Sequence, residues 1–352
     1  MNILPVIFQQ KTFTPQRKGL NNSYVIHPNF VQSLDHDTVS FTASKKEPKE
    51  VNKNKIKQAE SKEISRGLCS DIHNEAKGPA KNLLVLLKRE LKNLVASEAH
   101  PENPILPGAN GIKVRVKSPR SIREKALSTE NHTKERIKKM GDIIGARVVM
   151  QRGTQDDFDA VFDVLGDLVK HGKLRVKEVE NYRLTSRDSY VSQKTLDKFE
   201  ETCTKAGQYP DIKSKAIPNG YTAIHITVIL EDGFEGEIQI MGRDIEQVKE
   251  IEDFYYKLRC NKNFDPKYKS IEKIMKEKMK GFSEFDKEAL NKYIKDSYIH
   301  ARQLPPRSSK TTAKDFLPWP YFLPEELSYA NLHKAKAQCD RAAKEAELTK
   351  KK

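Results

Sequence analysis

Residues 113–125 bring together the groups that a polyphosphate chain would need. In Ile112-Lys113-Val114-Arg115-Val116-Lys117 the alternation of a strand puts Lys113, Arg115 and Lys117 on one face. Ser118-Pro119 then reads as a helix N-cap with proline at the first helical position, and the helix it opens runs to about Ser128. Ser121 and Lys125 stand at i, i+4 on that helix. Three cations, a hydroxyl and the free amides of a positive helix end suit phosphate oxygens. Read alone, the cluster is equally the solvated face of a basic protein.

Two acidic positions stand near apolar strands. Asp142 precedes Ile143-Ile144-Gly145-Ala146-Arg147-Val148-Val149, where a carboxylate at the edge of a buried strand is a natural magnesium ligand. A helix cap or a partner for Arg147 would explain it as well. In Glu237-Ile238-Gln239-Ile240 the alternation sets Glu237 and Gln239 opposite the isoleucines. A second carboxylate on a neighbouring strand would complete a two-carboxylate clamp for magnesium and nucleotide phosphates. Tyr221, Ala223 and His225 share one face of the preceding strand and offer a ring for base stacking beside an imidazole. Taken singly, a Tyr or a His on a strand is more often structural.

The elements that must position these groups follow from periodicity. Leu83, Leu84, Leu87, Leu91, Leu94 and Val95 predict a helix over about 79–98. Strands are expected at 112–117, 143–150 and 174–179, with a helix between the last two opening at Thr154 and stopping by Gly172. Residues 183–218 read as a long polar loop with one short helix near 195–206, and loops of that length are usually functional. Strands Tyr221–Leu230 and Phe234–Met241 flank the turn Glu231-Asp232-Gly233, and a helix of about 244–260 follows. The order predicts an α+β or α/β domain with a mixed sheet over 79–262. Residues 1–78, with their Lys45–Glu50 charge run, read as a disordered or loosely ordered extension, and 263–352 as a basic helical C-terminal extension. The lone His36-Asp37 pair reads as chance rather than as a metal-dependent hydrolase motif.

Composition narrows the partners. The chain has 352 residues, 64 Lys plus Arg against 49 Asp plus Glu, and a net charge of +15, which points to phosphate-bearing partners. Apolar residues make up 37%, below the roughly 45–50% usual in globular chains, in keeping with poorly packed extensions. Cys69, Cys203, Cys260 and Cys339 lie far apart, which argues against a disulfide framework or a zinc ribbon. No apolar run approaches the roughly 18 residues of a membrane span, and the opening residues are too short and uncharged for a signal peptide. A cytoplasmic protein is expected.

Four motifs in series closely resemble the RelA/SpoT synthetase domain. They are Arg115-x-Lys117-x3-Ser121-Ile122-x2-Lys125, Asp142-Ile143-x-Gly145-x-Arg147-Val148, Asn219-Gly220-Tyr221-x-Ala223-Ile224-His225 and Glu237-Ile238-Gln239-Ile240. The resemblance implies a nucleotidyltransferase-like fold and transfer of pyrophosphate from ATP to the 3′-hydroxyl of GDP or GTP, giving (p)ppGpp and AMP. It further implies that Asp142 and Glu237 hold Mg2+, with Glu237 also placed to accept the 3′-hydroxyl proton. Arg115 and Arg147 would sandwich the adenine, and Lys117, Ser121 and Lys125 would bind the ATP phosphates. On the acceptor side Tyr221 would stack on the base, with Asn219, His225 and Gln239 beside it.

The departures from the family pattern cluster on that acceptor side. Ile217 stands where the family usually has a Lys, with Lys215 two residues earlier. Met241 replaces the usual Arg, with Arg243 displaced by two, and Glu252-Asp253 replaces the usual Glu-His. No hydrolase, TGS or ACT region is recognisable, so a small, synthetase-only member is expected. Two other readings stay open: pyrophosphate transfer to the 3′ end of tRNA, as in toxin members, and a non-catalytic nucleotide- or RNA-binding protein. Oligomeric state is left open, a homo-oligomer included.

Overall fold

The computed structural model describes residues 64–129, 133–183, 191–303 and 317–349. The His36-Asp37 pair, the Lys45–Glu50 run and part of the long loop lie outside the described residues.

Helices α1 (Arg66–Glu75) and α2 (Lys77–Glu90) come first. The Ser65 side chain caps α1 by accepting from the Leu68 amide at 3.0 Å, which satisfies one of the free N–H groups of the first turn. Order therefore starts well before Pro79. Cys69 and Ile72 are fully buried, so α1 belongs to the core rather than to a loose extension. Next come β1 (Ile112–Val116), α3 (Pro119–Ser128), α4 (Lys134–Lys138), β2 (Ile144–Met150) and α5 (Gln155–Lys170). Ser118 caps α3 as its sequence predicts, and a Thr154/Asp157 capping box opens α5.

Strand β3 spans Arg175–Arg183, longer than expected, and is followed by α6 (Gln193–Lys205) and β4 (Asp211–Ala216). The predicted long loop thus carries both a helix and a strand. β4 escaped notice because it is a polar edge strand, exposed along most of its length, with no apolar alternation to betray it. Strands β5 (Ala223–Ile229) and β6 (Glu235–Gly242) form the predicted hairpin and lead into α7 (Arg243–Arg259). Helices α8 (Lys269–Met279), α9 (Glu284–Gln303) and α10 (Tyr329–Thr349) complete the described chain.

The six strands make one mixed sheet in the order β1-β2-β6-β5-β3-β4, parallel at β2/β6 and β3/β4 and antiparallel elsewhere. One face is apolar: Ala146, Val148, Ile238, Ile240, Ile224, Ile226 and Val228 are buried in a core shared with α1, α2, α5 and α6. A second apolar cluster joins Tyr221, Ala223 and Met241 to α7, α8, α9 and α10. The described helices beyond 262 are therefore built into the domain and do not form an appended extension. Tyr255 donates to the Leu327 carbonyl and stacks near Tyr329, with ring centroids 6.3 Å apart, so the two ends of this cluster are tied together. No helix among the described residues is long and apolar enough to cross a membrane.

Candidate active site

Register places the predicted groups on the sheet's other, polar face. Lys113 pairs with Arg147, Arg147 with Gln239, Gln239 with His225 and His225 with Glu180. One row lower, Arg115 pairs with Gly145 and Gly145 with Glu237. Side chains directly opposite each other project to the same face, so five strands present one continuous polar strip. Gly145 leaves the strip bare at its row, and the Arg115 side chain lies 4.0 Å from where a Cβ would be.

At the β1 end, Asp142 is gripped by two ammonium groups. Lys117 donates to Oδ2, and the Lys125 Nζ lies 2.6 Å from Oδ1. Burial pushes the Asp142 carboxyl up, but Lys117 and Lys125 outweigh it and hold the group below its usual range. Burial lowers the Lys117 ammonium, with Asp142 opposing it. The Ser121 hydroxyl accepts from Ser118 Oγ at 3.0 Å in the first turn of α3. The His73 Nδ1 meets the Lys117 carbonyl at 2.8 Å, so α1 braces the strand end that carries the cations.

At the centre, His225 Nδ1 lies 2.9 Å from Glu237 Oε1, and Gln239 donates to Oε2 at 2.5 Å. An ionised carboxylate only accepts, so Nδ1 carries the proton. Burial raises the Glu237 carboxyl, yet the His225 hydrogen bond and charge, with Gln239 and Lys117, bring it down to about 2. Arg147 donates to Gln239 Oε1 at 3.1 Å and to Glu246 Oε1 at 3.4 Å, and Glu246 also pairs with Lys113. Arg147 and Arg115 lie diagonally on one face.

The acceptor side differs from expectation. Tyr221 is only 7% exposed, with the Lys249 ammonium 5.0 Å from its ring centroid and Tyr298 edge-on at 5.8 Å. An open ring for stacking was predicted at this position; the structure packs that ring into the second core. The Tyr221 hydroxyl instead lies 2.8 Å from His225 Nε2. The half-buried ring of this region is Tyr182, 4.5 Å from His225 between centroids. Asn219 accepts from the Tyr221 amide at 3.1 Å, a turn-forming contact. Gly220 has φ +83° and the Lys295 carbonyl oxygen 3.1 Å from a would-be Cβ, so both its conformation and its packing demand glycine.

The departures have a packing cause. Ile217 packs against the second apolar cluster and Met241 is fully buried in it, so both serve the C-terminal helices. Arg243 is buried at the start of α7. Lys215, on the edge strand, does reach the strip and pairs with Glu180, whose Oε2 accepts from the Tyr182 hydroxyl at 2.7 Å. Glu180 and Tyr182 escaped the sequence reading because a bulge between Val176 and Glu178 breaks the alternation of β3. Glu246 and Lys249 were missed too, although their i, i+3 spacing on α7 marks one polar helix face, and Asp253, read as a departure from the usual His, pairs with Lys249 at 3.0 Å. The ligand atoms of Glu180, His225 and Glu237 all lie within 4.8 Å of one another, whereas Asp142 is held at the far end of the strip by Lys117 and Lys125.

A family profile described as "Region found in RelA / SpoT proteins" matches residues 114–261, the stretch from β1 through α7 that holds every predicted site residue. Among curated proteins none matches this sequence. Solved structures similar to the chain include small alarmone synthetase 1 from Bacillus subtilis bound to its product pppGpp, at 18% identity and TM-score 0.37, covering 63% of this chain and 87% of that one. A GTP pyrophosphokinase family protein from Streptococcus pneumoniae is 19% identical with TM-score 0.35, covering 66% of this chain and 98% of that one. By the profile match and the motifs it spans, residues 114–261 form a RelA/SpoT-type domain.

Proposed function

We propose that this domain transfers the β,γ-pyrophosphate of ATP to the 3′-hydroxyl of GDP or GTP, giving (p)ppGpp and AMP. The observation that carries the reading is the cation-lined end of the polar strip. Lys117 and Lys125 converge on Asp142 beside the Ser118-capped N-terminus of α3. Phosphoryl chemistry is served by positioning and charge neutralisation more than by covalent catalysis, and this end supplies both.

Arg115 and Arg147 would flank the adenine, and Lys117, Ser121 and Lys125 would take the phosphates, exchanging the Asp142 carboxylate for phosphate oxygens. Asp142 and Glu237 suit Mg2+, since both are hard oxygen donors kept ionised by their neighbours. Bound there, the ion would neutralise charge on the transferring phosphates and the attacking oxygen. The His225 and Gln239 hydrogen bonds keep Glu237 ionised, the form required both of a metal ligand and of an acceptor for the 3′-hydroxyl proton. On the acceptor side Lys215 takes the place of the missing Lys at 217, and Tyr182, His225 and Gln239 face the acceptor nucleoside.

The test is to supply ATP labelled on its terminal phosphates with GDP, GTP or deacylated tRNA in separate reactions. Label in a guanosine product supports the reading. Label in tRNA alone would move the chain to the toxin-type reaction, and no transfer at all would leave a nucleotide-binding protein.

A further inference from the structure

We propose a second cation site on the polar strip, formed by Glu180, His225 and Glu237, that takes a borderline divalent transition metal such as Zn2+ or Co2+. It shares only Glu237 with the expected magnesium pair. Three adjacent strands supply its ligands: Glu180 on β3 pairs with His225 on β5, and Glu237 lies one pleat along β6 on the same face. Their ligand atoms already lie within 4.8 Å of one another, so closing on an ion needs side-chain rotation alone.

The donor chemistry sets the class of metal. One imidazole nitrogen with two carboxylates suits zinc and its transition-metal neighbours, whereas magnesium prefers an all-oxygen set. The outer partners are in place as well. Metal-bound histidines almost always bond through their second nitrogen, and ligating carboxylates are themselves held by hydrogen bonds. Here the Tyr221 hydroxyl lies 2.8 Å from His225 Nε2, Tyr182 donates to Glu180 at 2.7 Å, and Gln239 donates to Glu237 at 2.5 Å. Each ligand thus has one orienting partner outside the triad.

Two changes accompany loading. The Nδ1 proton of His225 leaves, to Nε2 or to water, and Nε2–H then donates to the Tyr221 oxygen. Lys215, whose side chain is 46% exposed, swings from Glu180 into solvent. The ion replaces that ammonium and compensates both carboxylates.

Titration of the nucleotide-free protein with Co2+ tests this through the visible ligand-field absorption of the metal. The expected result is a single saturating site. Its affinity falls by at least about tenfold in Glu180→Gln and in His225→Asn, rises in Lys215→Ala, and is unchanged in Asp142→Asn. Circular dichroism of each variant checks that the fold persists. Absence of the absorption band in the parent, or equal affinity in parent, Glu180→Gln and His225→Asn, overturns the site. Because the readout needs no turnover, its failure is separate from any failure of the pyrophosphate-transfer reading.

Discussion

His225 and Glu237 face each other from neighbouring strands, Nδ1 to Oε1 at 2.9 Å, one pleat out of direct register. That contact is the main reason the Glu237 carboxyl lies at about 2 despite its burial. Through His225, whose Nε2 lies 2.8 Å from the Tyr221 hydroxyl, Glu237 is also tied to the second core.

The depressed Glu237 carboxyl predicts a pH signature. A folded-state value below the ordinary 4.5 stabilises the fold above that value, and the stabilisation is lost as pH falls from about 4.5 through about 2. Glu237→Gln should flatten that part of the stability profile in urea melts, and it should abolish transfer at every pH. An acid limb that stays as steep in the variant would assign it to other carboxylates.

Asp142→Asn should separate binding from turnover. Removing the carboxylate frees Lys117 and Lys125 for phosphates, so ATP affinity measured in EDTA should hold or improve. Turnover with magnesium should drop by roughly 10²–10³. Weaker ATP binding in EDTA would show that Asp142 organises the cations rather than competing for them. Lys125→Ala acts from the opposite side and should cost about 2–4 kcal/mol in kcat/KM for ATP, read from initial rates.

Tyr182 and Tyr221 divide a role that the sequence assigned to Tyr221. Tyr182→Ala should raise the acceptor KM by an amount corresponding to about 1–3 kcal/mol, while Tyr182→Phe keeps the ring. Tyr221→Phe loses the hydroxyl beside His225 and should cost about 1 kcal/mol of stability. Tyr221→Ala opens the second core and should cost about 3–5 kcal/mol. Acceptor kinetics and thermal melts of the four variants check this. An unchanged acceptor KM in Tyr182→Ala would remove that ring from the site.

What could be read from the sequence depended on regular periodicity. The strip residues on β1 and β6 alternate with apolar neighbours, so Arg115, Glu237 and Gln239 stand out by periodicity, whereas Arg147 on β2 is marked only by the family resemblance. Glu180 and Tyr182 were hidden by the bulge in β3, and β4 by its uniform polarity. The burial of Tyr221 depends on helices distant in sequence, which no local pattern reports. The same blindness placed a domain boundary at 262, because lysine-rich helices look solvated when their buried stripe is narrow: α8 buries only Ile271 and Met275.

Deleting residues 263–352 should therefore unfold the domain instead of trimming it. The cut strips cover from Tyr221, Ala223, Met241, Ile245, Ile251 and Tyr255, all part of the second cluster. Fully burying a large apolar side chain is worth about 1.5–3 kcal/mol. The five large ones, Ala223 set aside, amount to about 8–15 kcal/mol at full exposure, comparable to the roughly 5–15 kcal/mol by which domains are stable. Ile217 and Met241 would be left as bare apolar residues where the family has cations. The truncated chain should show no cooperative thermal transition and should bind an apolar dye. A truncated chain that melts at the parental temperature would restore the boundary at 262 and reduce the C-terminal helices to an appendage.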